Sequence, residues 1–486
     1  MTQFRAAFIG IAVLALSGCM VGSKYVKPSV PMAPDYKEAT PDAYKETTNW
    51  QVAQPADAAS RGEWWKIFGD AELNTLEPQV AANNQDLKAA DARFREARAL
   101  IRFNHASLYP TVGTAPFAGG LRESSNRPYI SATAAANNGN GLGDIQLPVD
   151  LNYEVDVWGR VRRTVSAARE EAQASAGDRQ TVLLSLQAEL AFDYFEARSA
   201  DAQEKLLNDT VTYYEEAYRI TNNRFEGGVA PKSDVDQAKT QLEAAKVQAR
   251  DITLRRAQFE HAIAVLLGVP PASFTLNDAP LDARPPVIPP GLPSELLERR
   301  PDIAAAERRV AEANDRIGIA RAAFYPTISL NGTVGIEATS FANLFNPASL
   351  LWAIGPTLSQ TVFDAGRRAA VSEQANARYD ETVADYRQTT LTAFQQVEDN
   401  LIALRVLQQE AENQHQATLA AQSAEQIFNN RYVGGLDTYL QVVTAQTTAL
   451  NNERNDIDIM RRQMDASVLL IKALGGGWNV TDLPKL

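Results

Sequence analysis

The chain has 486 residues, a formal net charge of −12, and a composition that is 45% hydrophobic and 22% charged. At this length we expect two or three folding units or one elongated architecture, and the acidic balance argues against nucleic acid as the main partner, because phosphate binding needs clustered Lys and Arg. A single cysteine excludes internal disulfides and zinc ribbons, and three scattered histidines offer poor material for a metal site.

Residues 1–18 are predicted to be a lipoprotein signal peptide. Arg5 precedes an apolar run, Ala6–Leu16, that is shorter than the roughly 20 residues a membrane-spanning helix needs. The run ends in Leu-Ser-Gly before Cys19, which resembles the bacterial lipoprotein cleavage box, so we expect a lipid on Cys19; an ordinary secretory signal with a chance cysteine is the alternative. Met20 after the cysteine favours the outer membrane, and no later stretch is predicted to be a transmembrane helix.

The first part of the mature chain is predicted to hold an extended tether, a helix and two strands. Residues 19–62, rich in Pro and Ala, read as a lipidated extended segment, and 63–268 as a first repeat. A helix over about 71–106 comes first in this repeat. The strand predicted near Thr111–Arg122 alternates poorly, and the Gly-rich Asn137–Gly143 is predicted to be an external loop.

The strand from Ile145 to Val155 alternates strictly between apolar and polar residues. Segments of about ten residues with this pattern fit transmembrane β-strands, although a half-buried soluble sheet gives the same pattern. We expect the polar face to line a bore. Its residues are Gln146, Asp150, Asn152, Glu154 and Asp156.

A long helix follows, from Arg162 to Glu226, with no proline and one glycine. At 1.5 Å per residue it would extend roughly 95–100 Å, so it needs a partner along its whole length. Residues from Leu183 to Phe225 follow one heptad frame that is mostly apolar but is diluted by Ala, Asp193 and Glu204, which predicts the seam with that partner. In the second half of the chain the same frame runs from Phe394 to His415.

The second half repeats this plan after a Pro-rich linker, 269–300. Gln85–Val112 aligns with Pro301–Ile328 at a shift of 216 residues, with 11 identities in 28. Later landmarks align at a shift of 207, so the first copy carries 216 − 207 = 9 extra residues. A duplicated unit is the simplest explanation. The second repeat, 301–476, is predicted to contain a helix at 302–323, strands at Ile328–Ile336 and Trp352–Leu358 and a long helix at Arg367–Val433, before a C-terminal tail at 477–486.

The number of predicted strands decides the expected assembly. Four strands in one chain cannot close, and open strand edges in hydrocarbon leave backbone groups without partners. Two chains would make a barrel of about eight strands, which side chains fill. We therefore predict a homotrimer with a 12-stranded membrane β-barrel, continuous with a periplasmic α-helical tunnel.

Landmarks spread over nearly the whole mature chain carry a resemblance to a known family. They are Cys19-Met20-Val21-Gly22 with Tyr25 and Pro28, Tyr153-Glu154-Val155-Asp156-Val157-Trp158-Gly159-Arg160, Arg300-Pro301-Asp302-Ile303, Ala322-Ala323-Phe324-Tyr325-Pro326, Arg431-Tyr432, and Lys472-Ala473-Leu474-Gly475-Gly476-Gly477-Trp478. The chain resembles the TolC-like outer-membrane factors of tripartite efflux systems, in particular the lipoprotein branch paired with resistance-nodulation-division pumps. The resemblance implies a passive trimeric conduit for drugs or other small amphipathic compounds. Its implied partners are a periplasmic adaptor (a membrane fusion protein) and an inner-membrane pump.

Two Gly-Gly pairs are predicted where each long helix must reverse direction. Glycine accommodates the left-handed conformation that ends a helix, so a turn is the structural interpretation. The resemblance implies in addition that these tips contact the adaptor. The tip residues are Arg224, Gly227, Gly228, Arg431, Gly434 and Gly435.

The entrance gate is predicted just past the second turn. Leu440 and Thr444 share a helix face. The resemblance implies an apolar ring one turn from an acidic ring; Leu440 fits the former, but Thr444 stands where many relatives carry aspartate. Asp437, or Asp234 and Asp236 from the first repeat, could supply the charge instead, and solvated carboxylates at helix starts are the alternative.

Other functions stay open at this stage. No Walker loop, HExxH or nucleophile elbow occurs, so we expect neither an enzyme nor a cofactor or metal site. The same duct could export metal ions, oligosaccharides or polypeptides. A coiled-coil lipoprotein that braces the envelope without a pore is a third possibility, which the alternating strands disfavour.

Overall fold

The structure is a computed structural model that describes residues 20–39, 62–122, 124, 141–281, 285–288 and 295–486. The predicted signal peptide, Cys19 and the end of the tether lie outside the described residues, as do 137–140 of the predicted loop and parts of the Pro-rich linker. The predicted domain bounds stay predictions. In the described part of the chain, no helix has an apolar stretch long enough to cross a membrane.

Long helices and one antiparallel sheet make up the molecule. In chain order the elements are α1 (Ala71–Asn83), α2 (Gln85–Ala106), β1 (Thr111–Gly113), β2 (Phe117–Leu121), β3 (Leu142–Glu154), α3 (Arg160–Glu226), α4 (Lys232–Leu266), the short α5 (Leu296–Arg299), α6 (Pro301–Ala322), β4 (Thr327–Ala338), β5 (Leu350–Ser359), α7 (Arg367–Val433) and α8 (Tyr439–Ala473). The strands and both long helices are confirmed, with bounds within a few residues of those predicted.

The first predicted helix is two helices, because an asparagine breaks it. The Asn84 side chain caps α2 by accepting hydrogen bonds from the backbone N–H groups of Asp86 (2.9 Å) and Leu87 (3.1 Å). Its amide also donates to the carbonyl of Leu266 at 3.0 Å. Because the buried Asn84 side chain caps α2 and also binds the end of α4, it fixes the kink between α1 and α2. The prediction of one helix over 71–106 was wrong at this point.

The sheet has β3 and β4 at its centre, and its outer strands pair with no further strand among the described residues. β3 pairs with β4, β4 pairs with β5, and β1 and β2 both pair with β3, all antiparallel. β1 and β2 keep one register: Thr111 lies opposite Asn152 and Phe117 opposite Gln146, and both pairs sum to 263. They are therefore one interrupted strand, so each chain offers four strand positions.

The helices pack in two hairpins, α3 with α4 and α7 with α8, and α6 joins them by packing against both long helices. Leu186, Leu190 and Tyr194 of α3 lie in the largest core cluster. In α7 the heptad prediction is confirmed at Val397 and Leu401, which are buried, but is wrong at His415, which is exposed.

Candidate functional site

One face of the sheet is apolar across three strands. The register places Val149 opposite Val334, and Val334 opposite Trp352. These side chains are 44%, 50% and 71% exposed, so no other part of the described chain covers the row fully. The adjacent row, Leu147, Ile336 and Leu350, has the same character. A continuous exposed apolar face on a sheet is the surface that hydrocarbon requires.

The opposite face is polar and carries the predicted bore residues Gln146, Asp150, Asn152 and Glu154. Thr333 donates its hydroxyl hydrogen to the Asp150 carboxylate at 2.7 Å, across the β3–β4 pair. Asn152 lies opposite Asn331, whose amide donates to the hydroxyl of Thr357 at 3.1 Å. Hydrogen-bonded polar ladders therefore cross the sheet on the side opposite the apolar rows.

Glu154 and Asp156 are paired with arginines where β3 becomes α3. Glu154 accepts two hydrogen bonds from Arg160, at 2.9 and 2.6 Å. Asp156 lies beyond the end of β3, which corrects its prediction as a strand residue; it caps α3 by accepting from the N–H groups of Val161 (3.0 Å) and Arg162 (2.9 Å). These two carboxylates stabilise the strand–helix corner, a role that the alternation pattern did not reveal.

The N-terminal segment 20–38 is a strap that begins at this corner. Val21 donates its N–H to the carbonyl of Trp158 at 3.0 Å. Met20 lies so close to Gly159 that an added Cβ there would be 2.3 Å from its Cγ. The residue that follows Cys19 is therefore held at the junction of sheet and helices.

Arg163 ties the strap to both halves of the chain. This 3%-exposed side chain donates to the carbonyls of Val21 (2.8 Å) and Ser23 (3.2 Å) and pairs with Asp315 of α6 at 2.7 Å. Farther along, the hydroxyl of Tyr25 donates to Glu307 of α6. Polar contacts that are buried at Arg163 and partly buried at Tyr25 thus join the strap to α3 and α6, and the sequence did not predict them.

Both long helices end in the same hydrogen-bonded turn. The N–H of Val229 donates to the carbonyl of Arg224, and the N–H of Leu436 to that of Arg431, each at 2.8 Å. Only the second glycine of each pair needs the left-handed region: φ is +72° at Gly228 and +74° at Gly435. This is a Schellman motif, so the turns are predictable from local chemistry alone.

The two tips contact each other. The guanidinium of Arg224 lies 4.9 Å from the centre of the Tyr432 ring, and the rings of Tyr432 and Tyr439 are 5.1 Å apart. Burial, followed in importance by the negative charge of Asp234, raises the pKa of Tyr432. The first glycines, Gly227 and Gly434, have ordinary negative φ angles. The predicted tip residues therefore belong to one cluster at the end of the molecule.

The predicted gate residues divide into two groups. Leu440, 54% exposed, and Asp236 line one groove of about 660 Å³ between α4 and α8, together with Gln237, Gln241 and Val443. Asp437 instead pairs with Arg431 at 2.5 Å, which helps to hold the turn. Thr444 donates its hydroxyl hydrogen to the carbonyl of Leu440 at 2.9 Å within the helix.

Few carboxylates are available to place negative charge at this groove. Asp236 is 3.6 Å from Lys232, four residues earlier on α4. Asp437 is paired with Arg431 and the charge of Asp234 acts on Tyr432, so Asp236 is the strongest of the three candidates for an acidic contribution near Leu440. Among the described residues, no group of His, Cys, Asp and Glu side chains could hold a metal ion.

Comparison with known proteins places this geometry among outer-membrane proteins of efflux systems. A family model described as outer membrane efflux protein matches residues 76–269 and 292–476. The chain is 32% identical to the antibiotic efflux pump outer membrane protein ArpC of Pseudomonas putida and, likewise at 32%, to the toluene efflux pump outer membrane protein TtgC of the same species; each match covers 97% of this chain and 95% of the relative. The structure is similar to that of the outer-membrane channel OprN, with a TM-score of 0.84, 29% identity, and coverage of 95% of this chain and 100% of OprN.

Proposed function

The chain belongs to the outer membrane efflux protein family, and from this premise we propose that three copies form a passive conduit through which small apolar or amphipathic organic compounds leave the cell. It is an outer-membrane protein with a channel's role in efflux. The proposal adds the number of copies, the path of the cargo and the residues that line it.

The sheet is the single observation that carries the proposal. Its apolar and polar faces are continuous across β3, β4 and β5, and both of its edges are open in the part of the chain that the structure describes. Open edges cannot face lipid. Three chains of four strand positions would close a barrel of twelve, with apolar rows facing lipid and Gln146, Asp150 and Asn152 facing the bore.

The long helices extend the conduit away from the membrane. Each of α3 and α7 has 67 residues, which corresponds to about 100 Å at 1.5 Å per residue. A helical wall of this length would reach deep into the periplasm. We propose that the tip cluster around Arg224 and Arg431 meets a periplasmic adaptor, which connects the conduit to an inner-membrane pump that supplies the energy.

Lipidation at Cys19 fits the position of the strap. Met20 lies beside Gly159 at the corner between sheet and helices, and this corner would face the inner leaflet if the sheet lies in the membrane. A lipid on the preceding residue would then enter the bilayer without spanning any distance. Labelling cells with a palmitate analogue tests this: the wild-type chain should be labelled, and Cys19→Ser should not.

The cargo class follows from the relatives. ArpC is described as part of an antibiotic efflux pump and TtgC as part of a toluene efflux pump. Both descriptions favour small organic compounds of low polarity over metal ions, oligosaccharides or polypeptides for this chain.

An export assay tests the proposed function. Cells that lack the gene should accumulate a fluorescent amphipathic dye and become sensitive to toluene, and the wild-type gene should reverse both effects. A planar-bilayer recording separates a conduit from a structural brace, because only a conduit gives single-channel currents. Normal dye efflux in the deletion strain, with no current from the purified protein, would refute the proposal.

A further inference from the structure

We infer that α2 of one copy packs antiparallel against the first part of α7 of the next copy, and that Arg93 pairs there with Asp385 of the partner subunit. The inference rests on the proposed homotrimer and specifies its contacts. It uses the contact between the two halves of one chain as the template for the contact between copies.

The template is the contact between α3 and α6 within one chain. Arg309 of α6 forms an ion pair with Asp178 of α3. At Gly177 the helices approach so closely that an added Cβ would lie 3.0 Å from the Cβ of Ala305. This antiparallel seam joins the first repeat to the second.

The two repeats correspond residue by residue at this seam. α3 and α7 are both 67 residues long and begin 207 residues apart, and α2 and α6 are both 22 residues long and begin 216 apart. The strand registers obey the same two shifts, because the pair Thr111–Asn152 becomes the pair Thr327–Ser359. The α3–α6 seam therefore maps onto α7 and α2, which make no extensive contact with each other in the described part of one chain.

The faces that this mapping brings together lack cover in the single chain. α6 buries fourteen residues and α2 only three, although they occupy equivalent places. α3 has eight buried residues from Val161 to Gly177, whereas α7 has none before Thr382. The strap covers only part of α6, through Tyr25 and Ser23. A second copy would cover most of the positions of α2 and α7 that are exposed here but are buried at the equivalent places in α6 and α3.

The mapping retains one ion pair. Arg309 becomes Arg93 and Asp178 becomes Asp385, so both residue types occur in both halves. Both side chains are exposed, and within the described residues neither has an ion-pair partner. A cation and an anion that lie unpaired at the equivalent positions are what the contact between copies requires.

The other polar contacts of the template become alanines. The pair Arg308–Glu170 maps onto Ala92 and Ala377, and the pair Arg163–Asp315 maps onto Ala370 and Ala99. The contact between copies would thus be a close packing of small side chains with one ion pair to set the register. Opposite charges at a fixed register favour one alignment over its neighbours.

A cysteine pair tests the register. Ala89 and Ala384 are equivalent to Ala305 and Gly177, so the variant Ala89→Cys/Ala384→Cys should place two thiols near the separation of about 3.5–4.5 Å between Cβ atoms that a disulfide needs. Oxidation in outer membranes should convert most of the chain into covalent dimers and trimers. The control Ala89→Cys/Ala377→Cys displaces one thiol by about 10 Å along α7 and should give only monomers after oxidation.

A charge exchange tests the ion pair without a disulfide. Arg93→Asp and Asp385→Arg should each lower the temperature at which the trimer dissociates, and the double exchange should recover most of the loss. Arg95→Asp is the matched control, because Arg95 lies on the same helix but 3.8 Å from Asp91 of its own chain; Asp385→Arg should not rescue it.

The outcomes separate this inference from the proposed function. Trimers in native mass spectrometry that give no cross-link, or equal cross-linking of the control pair, would overturn the α2–α7 contact and leave the homotrimer intact. Absence of rescue by the double exchange would remove the ion pair. A monomer in detergent would overturn both the contact and the proposed assembly.

Discussion

Arg163 is the residue whose loss should release the strap. Its replacement by methionine would leave the buried Asp315 carboxylate and two strap carbonyls without their donor. Breaking a buried pair by removing one partner typically costs about 3–5 kcal/mol. We expect Arg163→Met to lower the thermal unfolding temperature and to open the strap to trypsin at Lys24 and Lys27.

The control is a half-exposed ion pair on α3, the helix that also carries Arg163. Arg179 lies 2.8 Å from Asp91, and the two side chains are 31% and 44% exposed. Pairs of this kind contribute about 0–1 kcal/mol, so Arg179→Met should leave the strap protected. Equal protease sensitivity of the two variants would show that Arg163 is not the clamp.

Glu77 should make stability fall as pH rises. Burial raises the pKa of Glu77 to about 9, and neither carboxylate oxygen has a hydrogen-bond partner among the described residues. Between pH 4.5 and about 9 the unfolded chain releases a proton that the folded chain keeps, so this contribution is complete below pH 4.5 and is lost as pH approaches 9. At pH 7 the loss is about 3 kcal/mol.

Glu77→Gln removes this dependence. The variant should melt at a higher temperature than the wild type at pH 8 and at a similar temperature at pH 4.5, as followed by circular dichroism in detergent. Glu96→Gln, at an exposed position on α2, should keep the wild-type profile. Parallel profiles for the wild type and Glu77→Gln would mean that Glu77 is ionised in the folded protein.

Residue roles were only partly predictable from the sequence. Spacing alone identified the polar face of β3, whereas the gate role of Leu440 was predicted from the family resemblance. Spacing could not tell a bore carboxylate from a cap, because Asp156 keeps the alternation of the strand while its carboxylate accepts from the N-terminus of α3. Likewise, the pairing of Asp437 with Arg431 depends on the turn between them.

At the scale of elements, the alternation of apolar and polar residues predicted a strand correctly where the two faces of that strand have different surroundings. β3, β4 and β5 alternate cleanly because one face is apolar throughout the register. β1 and β2 alternate poorly for identifiable reasons: Phe117 lies on the polar face opposite Gln146, and Gly119 and Gly120 have no side chains. The break at Asn84 was missed because both sides of it favour helix.

The conductance prediction concerns Leu440, which lies on α8 after the second turn. If three copies of Leu440 narrow the entrance, Leu440→Ala should widen it and raise the single-channel conductance. Val229→Ala, in the first turn and also exposed, is the control and should leave the current unchanged. An unchanged current in Leu440→Ala would remove this residue from the gate.

At the scale of the whole molecule, the two halves explain why one chain is incomplete. The strap and Arg163 join the first half of the chain to the second, while the outer faces of α2 and α7 and both edges of the sheet face no other part of the described chain. The sequence predicted this incompleteness from the number of strands. It could not predict the strap, because segment 20–38 has no periodic pattern.

The central claim is that three copies enclose one open bore. Single-particle electron microscopy of the protein purified in detergent tests it most directly. We predict a threefold particle with a twelve-stranded ring that leads into a helical tunnel of about 100 Å. A monomer, or a twofold particle whose eight-stranded ring is filled by side chains, would contradict the account.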